Sequence, residues 1–377
     1  MTPFDIGLLS IAVDASYVPF AQMLEGRRLI VYGCGGLFSS FDSFVLRRYG
    51  ITPDCIIDRK FADSPSSDRV GPDSFFDAEW SRFSPTDLVI ICLGDSQAFQ
   101  ETQQRFAERG FVDVRSAYAI YEYNLIYADE AFAQDPVALY RREWDKLSHV
   151  YNVLQDPLSR DTFYKFLRTH VERKPPDFAP ASYPFQYTPP DLKLINQGIR
   201  LLNCGAYTGD TIETFIRNYG TLDLVVALEP DPDNFEKLTQ NRTVREGSAA
   251  NILLPLGASD QNASCLFEQG HGMISRVSHV PSPSATLVRT VKLDSVFQHM
   301  HFNKVVIDTE GHEKEILAGM EHIIRTDGPD ICVACYHHPE DIYQIALLIE
   351  SYESKYKFYL RNHSSVCVDT VLYATLQ

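Results

Sequence analysis

Three short segments hold residue types at spacings that could do chemistry. In KVVIDTEGHEKEILAGM, Asp308, Glu310 and Glu313 follow an apolar run; in CYHHPED, His337 and His338 follow another. In NCGAYTGDT a third apolar run leads into Asn203, Gly205, Tyr207, Gly209 and Asp210, and Glu229 stands twenty residues beyond Gly209. An imidazole with its ordinary pKa of about 6.5 can take the proton of an alcohol, and carboxylates can orient it or bind sugar hydroxyls. A glycine turn that opens a helix offers backbone N–H groups to a carboxylate or phosphate. An acid at the end of the following strand can hydrogen-bond both hydroxyls of an adenosine ribose. The chemistry these types suggest is proton removal beside an adenosine cofactor.

The cofactor follows from a missing glycine. A dinucleotide turn reads G-x-G-x-x-G so that backbone can approach pyrophosphate, whereas this one is G-x-x-x-G with Tyr207 and Thr208 between. S-adenosylmethionine has no phosphate and suits the turn together with Glu229. Methyl transfer from its sulfonium to an alcohol is an in-line displacement, and the alcohol is a poor nucleophile until deprotonated. His337 is assigned as the base, with Asp308 and Glu310 beside it. His338 is next to it on a strand and should face the opposite side, so one of the two reaches the site. His363, in YLRNHSS, is a third candidate, on the turn before the last strand. Structural readings stand beside these: Glu310 and Glu313 could cap the helix that follows them, Asp210 and Glu213 could form a capping box, and the glycine turn could serve helix packing alone.

These segments need a sheet that brings strand ends together. From about residue 198, strands at Ile199–Cys204, Leu224–Glu229, Ile252–Leu256, Val305–Asp308 and Ile331–Tyr336 alternate with helices at 210–219, 233–240, 313–324 and 340–350, and two strands near Tyr356–Leu360 and Cys367–Ala374 close the order. This is a doubly wound α/β domain, whose ligands sit at the carboxyl edge of the strands. Residues 28–120 read as a smaller Rossmann-like half: strand Leu29–Tyr32, turn Gly33–Gly36, a helix carrying Phe41 and Val45 that stops at Gly50, then strands at Cys55–Asp58 and Leu88–Leu93. Asp58 ends a strand there, but Phe38 stands where a third small residue should be, which weakens a nucleotide or NAD reading. The chain therefore divides into a Rossmann-like domain at 1–120, a helical connector and proline-rich linker or lid at 121–195, and the larger domain at 196–377.

Composition removes other classes. Lys plus Arg (34) against Asp plus Glu (50) gives a net charge of −16, which repels nucleic acid. No uncharged stretch approaches the roughly 20 apolar residues of a membrane span, and no secretory signal is visible, so a cytoplasmic location is expected. The eight cysteines show no framework spacing and read as buried thiols. Cys332 and Cys335 have metal-knuckle spacing but would face opposite sides of a strand. No metal ligand set is assigned; a divalent ion is compatible with the carboxylates but not indicated.

In order along the chain, NCGAYTGDT, ALEPDPDNFEKLTQN, VKLDSV, VVIDTEGHEKEILAG, CYHHPEDI, YLRNHSS and DTVLYA resemble the FkbM family of S-adenosylmethionine-dependent methyltransferases over residues 198–377. The resemblance implies a class I methyltransferase fold with an antiparallel last strand, and O-methylation of a small-molecule or glycan hydroxyl. It places Gly205, Tyr207, Gly209 and Asp210 at the cofactor, Glu229 at its ribose, Asp260 near its adenine and Asp308, Glu310 and Glu313 in an Asp-x-Glu-Gly-x-Glu signature. Glu313, His338 and His363 are then expected on the acceptor side. Two positions depart from the pattern: Asn203 stands where an Asp is common, leaving the contact to the methionine amino group uncharged, and Asn362 where a His is frequent. The competing classes are an oxidoreductase using the first glycine turn and a non-catalytic binding protein with a degenerate methyltransferase fold. No oligomeric state follows from the sequence.

Overall fold

The computed structural model describes residues 20–120, 136–172, 185–268, 276–278, 285–364 and 369–377. They form two compact units: one of the described residues up to Arg142 with 164–172, the other of Glu143–Phe163 and the described residues from 185 on.

In the first unit, strands β1 (Leu29–Tyr32), β2 (Cys55–Ile57), β3 (Arg69–Val70), β4 (Leu88–Ile91) and β5 (Asp113–Ser116) pair in the order β3-β2-β1-β4-β5, all parallel. Alternate residues go to opposite faces. Ile30, Val89 and Ile91 pack with Phe75 and Phe106, while Leu29, Val31, Leu88 and Ile90 pack with Phe20 and Phe41. Strands apolar on both sides are what a parallel sheet covered on both faces requires. The helix read through Phe41 and Val45 is α-helical over Gly36–Phe41, widens to a π-type turn at Asp42–Leu46 and ends on Gly50 at φ 63°.

The second unit holds a seven-stranded sheet: β6 (Arg200–Cys204), β7 (Leu224–Leu228), β8 (Asn251–Leu254), β13 (Lys304–Ile307), β14 (Asp330–Ala334), β15 (Lys357–Asn362) and β16 (Thr370–Thr375), in the order β15-β16-β14-β13-β6-β7-β8. The five strands from β14 to β8 are mutually parallel, and β16 is antiparallel to both of its neighbours. The fold class expected from the motifs, including the reversed last strand, is therefore present. Between β8 and β13 lies a second sheet of β9 (Gly257–Ser259), β10 (Ala263–Glu268), β11 (Arg276–Ser278) and β12 (Ala285–Lys292), which is not among the elements expected from the sequence.

Register sets the working edge. Cys204 pairs with Leu228 on one side and Ile307 on the other, and Ile307 pairs with Val333, so the carboxyl ends of β6, β7, β13 and β14 finish level. The antiparallel β16 begins at the same edge, Val371 opposite Ala334. The helix expected at 313–324 is two helices, Glu313–Gly319 and Glu321–Asp327. Among the described residues no helix is long and apolar enough to cross a membrane. Most of the proline-rich stretch, and Cys367, lie outside the described residues.

Candidate active site

The turn after β6 is built on left-handed backbone: Gly205 at φ 80°, Tyr207 at φ 48° and Gly209 at φ 95°. Two of these positions are glycine for clear reasons. A Cβ on Gly205 would lie 2.0 Å from the carbonyl oxygen of Asp308, and one on Gly209 would lie 2.6 Å from the Val244 side chain. Gly205 and Ala206 donate their amides to the Leu228 carbonyl, at 3.0 and 3.1 Å, which ties the turn to the end of β7. The capping box expected from Asp210 and Glu213 does not form. Gly209 caps the helix Asp210–Tyr219 without a side-chain bond, and Glu213 instead accepts from Asn241 Nδ2 at 2.9 Å. Asp210 is the first helical residue, and burial raises its carboxyl pKa.

Glu229 follows β7 and is buried, accepting from the Tyr207 amide at 2.7 Å through Oε2 and from the Asp231 amide at 2.9 Å through Oε1. Burial pushes its carboxyl up to about 7, against the pull of those two amides. Asn203 is fully buried in β6, and neither Oδ1 nor Nδ2 has a hydrogen-bond partner. Asp260, one residue past β9, accepts from Ser259 Oγ at 3.1 Å; the same hydroxyl lies 3.0 Å from His312 Nε2.

One residue past β13 stands Asp308, then a sharp loop with Glu310 at φ 58° and Gly311 at φ 101°. Glu313, expected on the acceptor side, is instead buried: its Oε1 accepts from the Thr309 amide (2.9 Å), the Thr309 hydroxyl (3.1 Å) and the Gly311 amide (3.3 Å), which holds the loop closed. In this respect Glu313 is the structural carboxylate at a helix start that its position allowed. The buried imidazole of His337 lies among three carboxylates. Its Nδ1 is 3.1 Å from Glu313 Oε1, and its Nε2 is 3.4 Å from Glu310 Oε2 and 3.6 Å from Asp308 Oδ1.

This corrects the picture of a histidine with an ordinary pKa. Burial disfavours charge on the ring, but Glu313 and Glu310 overcome it and hold His337 well above its usual 6.5. Burial would also raise Glu313; the imidazolium and the Thr309 amide outweigh it and bring that carboxyl down to about 2. Asp308 moves the other way, raised by burial to about 7 with Glu310 adding to the rise and His337 opposing it. Ligand atoms of Asp308, Glu313 and His337 lie within 4.8 Å of one another, a span a divalent ion could bridge. With each ring nitrogen facing a carboxylate, protonated His337 already supplies the cluster with a cation.

His338 departs from the strand-alternation argument. β14 ends at Ala334, so both histidines lie in the bend beyond it, and His338 also turns to the 308–313 loop, its Nε2 3.3 Å from the Gly311 carbonyl and its amide donating to Asp341 at 2.9 Å. His363 is buried, with Nε2 2.8 Å from Tyr373 Oη. Asn362 pins the β15–β16 connection, donating to Thr370 Oγ1 at 2.9 Å. Cys332 and Cys335 donate to different carbonyls, of Tyr187 and Thr370, and are not a ligand pair. The residue that sequence reasoning missed is Tyr187, whose hydroxyl donates to Asp308 Oδ2 at 2.5 Å. An aromatic residue emerging from a proline-rich stretch was the available signal.

In the first unit the corresponding acid is already engaged by its own turn: Asp58 accepts from the Cys34 amide at 2.7 Å and the Lys60 amide at 3.0 Å.

A level strand edge carrying a glycine turn, a buried acid and an acidic–histidine cluster sits on the Rossmann-like sheet of a methyltransferase-type fold. Residues 203–358, all in the second unit, match the model of the methyltransferase FkbM domain. The fold of both units is similar to the crystal structure of methyltransferase FkbM from Methylobacillus flagellatus KT, with a TM-score of 0.73 and 18% identity over 98% of each chain. The chain is also similar to the hexuronic acid methyltransferase AglP of Haloferax volcanii, 29% identical over 121 residues, 31% of this chain and 50% of that protein. The match thus spans half the length of that curated relative.

Proposed function

We propose that the second unit is an S-adenosylmethionine-dependent methyltransferase that acts on a hydroxyl of a sugar or glycan precursor. The observation that carries this reading is the contact of Gly205 with Asp308. It sets the turn that precedes Glu229 directly against the acidic–histidine cluster, so a cofactor over one faces the other.

The residues fit the cofactor. Asn203 has two buried polar atoms without partners at the strand end, suited to the amino-acid portion. The glycine turn leaves its backbone open to close approach. Glu229 offers a carboxylate for ribose hydroxyls, and Asp260 belongs beside the adenine. When bound, S-adenosylmethionine supplies a sulfonium methyl group for displacement by an oxygen nucleophile.

The remaining steps belong to the chain. Asp308 accepts the acceptor's hydroxyl proton: burial has brought its pKa near neutrality, where a general base is most effective. His337 stays protonated between Glu313 and Glu310 and offsets the charge that Asp308 carries before it takes the proton. Glu310 faces the same ring nitrogen as Asp308 and is assigned, with His338, to the acceptor hydroxyls. A sugar-type acceptor is supported by the name of the Haloferax volcanii relative. Calorimetric titration with S-adenosylmethionine tests the cofactor assignment: wild-type protein binds, and Glu229→Ala loses at least about tenfold in affinity. Equal affinity in the variant would remove it.

A further inference from the structure

Tyr187 lies outside the matched domain and is fixed at every polar atom. Its hydroxyl donates to Asp308 Oδ2 at 2.5 Å, its amide donates to Tyr373 Oη at 3.0 Å, and its carbonyl accepts from Cys332 Sγ at 3.7 Å. Tyr373 Oη lies in turn 2.8 Å from His363 Nε2. The preceding residue makes a parallel contact, Gln186 Nε2 donating to Asp369 Oδ1 at 3.4 Å. Tyr187 is buried in the core with Ile199, Leu201 and Val371, and it holds a left-handed backbone at φ 65°. A non-glycine residue there costs about 1–3 kcal/mol and persists only where its surroundings over-determine it.

Resting on the methyl-transfer reading above, we propose that Tyr187 is a positioning residue for that reaction, its phenol clamping Oδ2 of Asp308 so that the carboxyl plane is fixed and Oδ1 is held toward His337. A terminal carboxyl torsion is broad and roughly two-fold, so an unheld Asp308 carboxyl would not keep one plane. A phenol suits this place because it is a neutral donor. An arginine would bind Asp308 more strongly and hold it as a carboxylate too weakly basic to take a proton near neutral pH. The chain Tyr187, Tyr373 and His363 also gives His363 its place: it supports the clamp from behind and does not touch the acceptor.

The test is a carboxyl-carbon NMR titration of the full chain labelled at aspartate Cγ, with Asp308→Asn identifying the Asp308 signal. The charged and titratable groups facing the pair are Glu310, Glu313 and His337 around Asp308, and Tyr373 and Asp369 around Tyr187. In Tyr187→Phe the Asp308 midpoint should rise by about one unit, the order of one hydrogen bond to a carboxylate. An unmoved midpoint overturns the clamp. Should Tyr187→Phe not fold, the reciprocal experiment decides: with tyrosine Cζ labelled, Tyr187 titrates lower in Asp308→Asn than in wild type if the bond exists, and at an unchanged pH if it does not. S-adenosylmethionine calorimetry on the same samples separates the two claims, because wild type failing to bind removes the methyl-transfer reading whatever the midpoint does.

Discussion

Gly205 and Asp308 meet backbone to backbone: a single carbon added to the glycine would sit 2.0 Å from the Asp308 carbonyl oxygen, and the glycine's φ of 80° disfavours any side chain as well. Gly205→Ala should therefore cost about 3 kcal/mol or more in unfolding free energy, from the clash and the left-handed backbone together. Urea denaturation measures it. A loss below about 0.5 kcal/mol, the ordinary range of a neutral surface change, would mean that the turn and the β13 loop are not locked to each other.

On the proposed reading, Glu229 should give cofactor binding a pH dependence. Its carboxyl is raised to about 7 by burial, and hydroxyl donors need it ionised. Affinity for S-adenosylmethionine should be constant above that value and fall by about tenfold per pH unit well below it. Titrations on either side of neutrality check this, and a flat profile would place the ribose elsewhere.

Removing the partner of a buried charge is expensive, and Glu313 is such a partner for His337. Glu313→Ala should destabilise the fold by about 3–5 kcal/mol. Because its folded pKa of about 2 lies below the ordinary 4.5, the stabilisation is complete above 4.5 and disappears as pH falls through 2. Glu313→Gln should abolish that acid-side dependence in chemical denaturation across the same window. An unchanged dependence would mean that the pair is not formed.

Much of this was legible in the residues and some was not, for physical reasons. Apolar runs such as Leu29–Tyr32 and Leu224–Leu228 mark buried strands because both faces of a covered parallel sheet exclude polar side chains, and the glycines at 205 and 209 announce a turn because only they take its backbone without strain. The strand end at Ala334 was not readable. Alternation would separate His337 from His338 only if the strand ran on through both, and the bend brings both to the same loop. Electrostatics were the larger gap. Motif spacing showed that carboxylates gather near His337, but only the distances show that they surround it and hold its proton. Tyr187 carries no periodicity signal, since its partner is 121 residues away.

Asn203 offers a test in which two quantities move in opposite directions. Asn203→Asp would place a carboxylate where the side chain is fully buried and its polar atoms lack partners. The ligand-free protein should lose about 1–3 kcal/mol of stability, while affinity for S-adenosylmethionine rises through pairing with its amino group. Thermal melting and calorimetry on one preparation check both. Weaker binding by the variant would show that position 203 does not face the amino group.

The most direct measurement is transfer of radiolabelled methyl from S-adenosylmethionine to a panel of uronic acid glycosides by the full chain and by Asp308→Asn. Wild type should yield labelled sugar, and the variant should bind the cofactor within about twofold of wild type yet transfer at least about a hundredfold more slowly, the usual contribution of a general base. Wild-type transfer rates in Asp308→Asn would contradict that role.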